Sequence, residues 1–235
     1  MAAESIGPES PVQGIQLPWT FRDTWLGLGL IVFLTLVFVV VVVVLWQDFS
    51  FIQDAGVVLL ELLYLLPVVV ILGARRASWR ALGFRPFERK TLGIGCGLFV
   101  GAYLVIIFHN MILSLAGIVT QGEQVFQLFN LLDHPLAFVV AGTLAAPLSE
   151  EVFFRGFLFN GFRQRLGWKR AALLSSIFFS LAHMDPATLV PTFILGFLLA
   201  YLFHRSNSLW PGVILHFLVN SLGFIMVYAV SQITF

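Results

Sequence analysis

Long apolar runs separated by short polar stretches make up most of the chain, and their lengths set the first expectation. A helix that spans a bilayer needs about 20 apolar residues, within about 17–25. Thr24 to Trp46 meets this, including the valine run Val39 to Val44. β-branched residues suggest a strand in water, but in lipid only a helix satisfies its own backbone. A second run extends from about Ala55 to Ala74, with Pro67 as an expected kink, and a third from about Leu92 to Val119. The fourth starts near His134–Pro135 and continues through Arg155 to about Asn160. The fifth, Ala171 to His183, is short, rising only about 20 Å at 1.5 Å per residue. If it ends at mid-membrane, His183 lies deep and the next turn is re-entrant. The sixth runs from about Ala187 to Phe203 and the seventh from Leu209 to about Val230. The fold class expected is therefore all-α, a polytopic transmembrane helical bundle of about seven spans.

The polar connections orient it. Arg75, Arg76, Arg80, Arg85, Arg89 and Lys90 share one loop; Arg163, Arg165, Lys169 and Arg170 follow the fourth run, Arg205 follows the sixth, and Arg22 precedes the first. The alternate connections carry Asp48, Asp54, Glu123, Asp133 and Asp185 with no Lys or Arg. Under the positive-inside rule the basic set faces the cytosol, so the N-terminus is expected inside and the C-terminus outside. The loop from Arg75 to Lys90 could bind anionic lipid head groups, but setting topology is sufficient reason for its charges. Trp46, Trp79, Trp168 and Trp210 read as interfacial anchors.

Composition strengthens the membrane reading: hydrophobic residues are 59% and charged residues 11% of the chain, against roughly 25% charged in soluble domains. Mean hydropathy is +0.96. Residues 1–18 are polar and proline-containing and read as a flexible segment without the features of a secretory signal. Residues 19–235 then form one transmembrane domain. The net charge of +1, spread over loops, gives no reason to expect nucleic acid. The single Cys96 excludes an intrachain disulfide framework.

Against this background a few ionisable residues stand out. Such groups are costly in lipid and usually face a bundle interior or a cavity. Glu150, Glu151 and Arg155 lie in the fourth run, His183 closes the fifth, and His216 and Asn220 lie in the seventh. Successive helical residues diverge by about 100°, so the two glutamates are not expected to point the same way. Glu151 and Arg155, four apart, should pair, leaving Glu150 to face a cavity. Phe179, one turn before His183, should pack on its imidazole. Glu150 and His183 sharing a water, with His216 and Asn220 as donors to an oxyanion, would suffice for amide hydrolysis without a covalent intermediate. Glu150, His183 and His216 could alternatively bind zinc, leaving one open position. HExxH and GxSxG are absent. His109 with Asn110, and Glu61, read as structural, with Glu61 a secondary candidate; His204 and Arg205 read as topology residues.

The motifs Glu150-Glu151-Val-Phe-Phe-Arg155, Phe179-Ser-Leu-Ala-His183 and His216-Phe-Leu-Val-Asn220 resemble the EExxxR, FxxxH and HxxxN motifs of the CAAX prenyl protease and bacteriocin-processing (CPBP, or Abi) family of intramembrane endopeptidases. The resemblance covers about Leu131 to Gly223. Leu82-Gly83-Phe84-Arg85 and the approach Ser208 to His216 also look typical. It implies a helical protease domain with its site in the membrane and open to the cytosol. Glu150 and His183 would activate water, His216 and Asn220 would hold the oxyanion, and Glu151 and Arg155 would support them. The implied mechanism is glutamate-dependent and metal-free, with no cofactor. The family's range leaves the substrate open: a prenylated CAAX-type protein, another membrane-associated peptide, or no substrate at all in a non-catalytic bacteriocin immunity or scaffold protein.

Overall fold

The computed structural model describes residues 16–45, 50–131 and 135–231. Most of the N-terminal segment (1–15), Trp46, Asp48 and the expected start of the fourth run at His134 lie outside them. Every described regular element is helical. α1 (Phe21–Leu45) is followed by α2 (Ser50–Leu63) and α3 (Leu65–Ala74), a short 3₁₀ turn (Trp79–Leu82), α4 (Arg89–Leu115) and α5 (Gln121–Leu131). A long run then joins α6 (Pro135–Val140), a π-helical stretch (Ala141–Ala145), α7 (Ala146–Glu150), a second π-helical stretch (Glu151–Phe159) and α8 (Asn160–Leu181). α9 (Leu189–Ser206) and α10 (Trp210–Ser231) complete the bundle.

Five described helical runs are long and apolar enough to cross a membrane: Phe21–Val44, Arg89–Leu115, Pro135–Leu181, Pro186–Ser206 and Trp210–Ala229; Val58–Ala74 is a shorter apolar helix. The run Pro135–Leu181 holds both the fourth and the fifth expected segments. The chain reverses at Gly167, whose φ of 72° and ψ of 168° suit glycine, and α8 folds back so that Phe178 meets Phe162 and Phe179 meets Phe154. The second expected run is broken earlier than anticipated, at Tyr64 rather than at the proline. Pro67 has no N–H to offer the Leu63 carbonyl four residues back, so α2 ends there.

α5 is a correction, since the connection it occupies reads as loop. Thr120 starts it by giving its N–H (2.6 Å) and hydroxyl (3.0 Å) to Glu123, which holds that exposed carboxyl below its usual range. The preceding helix stops at Leu115 rather than Val119 because Gly117 adopts φ 70°, with Ile118 N–H bonded to Leu113 O and Gly117 N–H to Ser114 O. The same Thr-x-x-acid device opens α1: Thr20 N–H donates to Asp23 (2.7 Å), and Arg75 at the end of α3 grips that carboxylate through Nε (3.0 Å) and Nη2 (2.7 Å).

Burial separates an outer shell from an inner core. α1 and α4 expose Val32, Phe33, Leu36, Val40, Leu104 and Phe108, the surface expected to meet acyl chains. The elements carrying the motifs lie inside, where every residue from Glu151 to Phe159 is buried. Phe153, Phe157, Phe159, Phe162, Phe179 and Phe203 fill that interior. Their edge-on contacts, Phe154–Phe179 at 5.1 Å and Phe159–Phe203 at 5.8 Å, fix how α8 and α9 pack around the π-helical stretch.

Candidate active site

The site begins where the helix loosens. In the stretch Ala141–Ala145 the Ala146 N–H bonds to Ala141 O, five residues back, which bypasses the Gly142 carbonyl. Pro147 cannot donate to it either. That orphaned carbonyl instead accepts the Asn220 amide at 2.8 Å, tying α10 to the π-helical turn just above the glutamates. One of the two Asn220 amide hydrogens is thus used and the other remains available.

Glu150 ends α7 and Glu151 opens the second π-helical stretch. Both side chains are buried. As expected, Glu151 pairs with Arg155, Oε1 to Nη1 at 2.6 Å. The guanidinium is also held by the Gly196 carbonyl (3.2 Å) and lies 4.2 Å from the centroid of the Phe179 ring. The two carboxylates nevertheless reach the same imidazole. Glu150 Oε2 lies 3.7 Å from His216 Nε2, and Glu151 Oε1 lies 3.5 Å from His216 Nδ1. The wider turn that starts at Glu151, with two flexible side chains, lets adjacent carboxylates take opposite edges of one imidazole.

His183 sits just beyond α8, half-buried, with Nδ1 2.8 Å from the Phe179 carbonyl. A carbonyl only accepts, so that nitrogen carries the proton; in the neutral ring Nε2 then bears the free lone pair. Among the described residues no carboxylate stands within ion-pair distance of His183, and the imidazole in direct reach of Glu150 is that of His216. What joins the two histidines is Phe179, edge-on to His183 at 5.0 Å and to His216 at 5.8 Å. The expected Phe179–His183 contact is present, and the same ring serves both imidazoles.

Glu150 Oε2, Glu151 Oε2 and His216 Nδ1 are buried without a hydrogen-bond partner among the described residues. Polar atoms so placed call for water or substrate. Sequence reasoning undervalued Glu61. It lies on α2, its Oε2 also buried and unpartnered, near enough to Glu150 and Tyr64 to act on both electrostatically, with the Ser149 hydroxyl beside it. The available signal was an acidic residue in an apolar run with no cation one turn away. Gly212 was also missed: a Cβ there would stand 2.5 Å from Glu151 Oε2, so α10 can approach the carboxylate only through a glycine. His109 and Asn110 contact one another (3.3 Å), and His204 stacks on Trp168 at 4.5 Å, as suits residues outside the site. Among the described residues, no three His, Cys, Asp or Glu side chains gather closely enough to hold a metal ion.

The family described as type II CAAX prenyl endopeptidase Rce1-like matches residues 132–222, the part that supplies all of these groups except those on α2. Curated proteins are similar as well. "Putative membrane peptidase YdiL" of Bacillus subtilis is 24% identical over 164 residues, covering 68% of this chain and 66% of that protein. "Uncharacterized 24.3 kDa protein" of Escherichia coli is 30% identical over 147 residues, covering 59% and 67%. "UPF0177 protein YxdF" of Lactococcus lactis is 33% identical over 81 residues, covering 34% and 44%. The chain thus spans about two thirds of the length of the first two and under half of the third. No solved structure matches it. With three motifs in order, an interior that gathers their side chains, and helices able to cross a bilayer, this integral membrane protein belongs to the Rce1-like, type II CAAX prenyl endopeptidase family.

Proposed function

We propose that this protein is an intramembrane endopeptidase that hydrolyses a peptide bond with an activated water and without a metal. Glu150 takes a proton as the water oxygen bonds to the scissile carbonyl carbon, and returns it to the leaving amine as the C–N bond breaks. His183, its Nδ1–H fixed on the Phe179 carbonyl, presents Nε2 to the same water. His216 and the spare N–H of Asn220 donate to the oxyanion. Glu151 and Arg155 hold this arrangement in place. The positive-inside pattern of the connections supports an opening of the site on the cytosolic side. The substrate class that suits a buried site with this access is a peptide already anchored in the membrane, a prenylated CAAX-type protein first among them.

The observation that carries the reading is Glu150: a buried carboxylate with no cation of its own, beside His216 and one aromatic ring away from His183. The test is cleavage of a prenylated CAAX peptide by the full chain in lipid nanodiscs. Glu150→Gln and His183→Ala should each lower the rate by about 10²–10⁴ while the protein stays folded and inserted. Full activity in purified Glu150→Gln protein would defeat the assignment.

A further inference from the structure

Two arginines converge on the face that carries the basic connections, away from the glutamates, and neither has an acidic partner. Arg85 and Arg163 line one cavity of about 120 Å³ together with Gly83, Asn160, Phe203 and Asn207. At roughly 30 Å³ per water the space suits about four waters or one phosphate group. Arg163 Nη2 donates to Asn207 Oδ1 at 3.0 Å, and its guanidinium lies beside the adjoining rings of Phe159 (5.5 Å) and Phe203 (5.6 Å). Its Nε is buried with no acceptor, and Asn160 Oδ1 is buried with no donor. The Asn160 orientation is fixed, because its Nδ2 is already bonded to Gly156 O at 2.9 Å. Among the described residues no carboxylate lies within ion-pair distance of either arginine.

The cavity is a built one. Ser208 Oγ donates to the Arg85 carbonyl at 2.6 Å and Leu209 N–H to Gly83 O at 2.9 Å, so the segment after the 3₁₀ turn is fastened to the connection between α9 and α10. Gly83, at φ 105°, lets the Phe203 ring approach where a Cβ would come within 2.7 Å of it. Two like charges lining one cavity, with a buried unused donor and no counter-charge within ion-pair distance among the described residues, call for an external anion.

We infer that the cavity between Arg85 and Arg163 binds a phosphate group, with its anionic oxygens on the two guanidiniums and an O–H of the ligand on Asn160 Oδ1. An anionic phospholipid whose headgroup carries a hydroxyl offers both, and so does free hydrogen phosphate. At a membrane face lined by basic residues the lipid headgroup is the occupant in situ. The site is separate from the catalytic groups and does not depend on the protease reading.

The test follows the unfolding midpoint of the detergent-purified full chain in phosphate-free buffer. Phosphatidylglycerol in mixed micelles should raise it saturably, and phosphatidylcholine should not. Inorganic phosphate giving the same saturable rise, with no further gain from phosphatidylglycerol, would assign the site to free phosphate and still support the anion chemistry. Arg85→Gln, on an exposed side chain that leaves the core intact, and Arg163→Lys, which keeps the charge but loses the fork, should each weaken the apparent affinity by roughly 10- to 100-fold, as loss of one charge-assisted bond would. No saturable response to either anion in the wild type, or an equal response in both variants, would overturn the inference.

Discussion

Adjacent glutamates with different partners should answer the same substitution in opposite ways. Glu151 is bonded at 2.6 Å to Arg155, and both side chains are about 1% exposed. Glu151→Gln leaves the guanidinium buried and uncompensated, and breaking such a pair costs about 3–5 kcal/mol. That is about two to nearly four powers of ten in the folding equilibrium at about 1.36 kcal/mol per tenfold. Among the described residues no Lys or Arg stands within ion-pair distance of Glu150, whose near polar neighbour is His216 at 3.7 Å. Glu150→Gln keeps the shape and breaks no ion pair to Lys or Arg, so stability should hold or rise while the rate falls by about 10²–10⁴. Unfolding by SDS titration, followed by tryptophan fluorescence, measures the first quantity, and single-turnover cleavage in nanodiscs measures the second. If Glu150→Gln unfolds the protein while Glu151→Gln leaves its midpoint unchanged, the division of labour drawn from these distances is wrong.

Three further outcomes follow from the same geometry. Gly212→Val should displace Glu151 from α10 and cost about 1–3 kcal/mol by overpacking, read as a lower unfolding midpoint; an unchanged midpoint would contradict the close approach. Asn220→Ala orphans the Gly142 carbonyl, for about 1–3 kcal/mol, and Asn220→Asp should lose the same bond because an ionised carboxylate cannot donate; wild-type stability in both would remove the brace. Exhaustive dialysis against a chelator should leave cleavage intact; activity lost and then restored by zinc would revive the Glu150, His183 and His216 ligand set.

How much of this was legible in the sequence depended on what kind of interaction carried it. The all-helical class and the Glu151–Arg155 pair follow from local rules, a span length and a four-residue spacing, and both are found. Phe179 was legible as a neighbour of His183 for the same reason, but its reach to His216 on another helix was not. That Glu150 also reaches His216 was not legible, because the contact joins two helices and the chain widens into π-helix at the next residue. The missing Pro147 donor leaves a carbonyl open on the preceding turn, but where its replacement donor stands is a tertiary fact. Glu61 was underweighted because it shares no helix with the motifs, and only the packing of α2 against α7 brings it to Glu150. α5 could have been read from Thr120 and Glu123 with the apolar positions Val125, Phe126, Leu128 and Phe129, a capping box before a periodic stretch.

The buried ion pair also explains why an arginine four residues after Glu151 matters to groups on two other elements. Its guanidinium rests on Phe179 at 4.2 Å, that ring touches both imidazoles, and the Phe179 carbonyl fixes the tautomer of His183. Charge on one helix is thus converted into ring position, and ring position into the placement of two bases, through rigid contacts in a close-packed interior. A lysine would keep the charge at position 155 but lacks the planar face that stacks and the second nitrogen that reaches Gly196 O. Stability should therefore suffer less than with alanine, while the orientation of His183 and His216, and with it the rate, should not be rescued. Paired measurements of midpoint and rate on Arg155→Lys and Arg155→Ala separate the two roles. Recovery of both quantities by lysine would show that charge alone suffices and that the stacked ring carries no orientation.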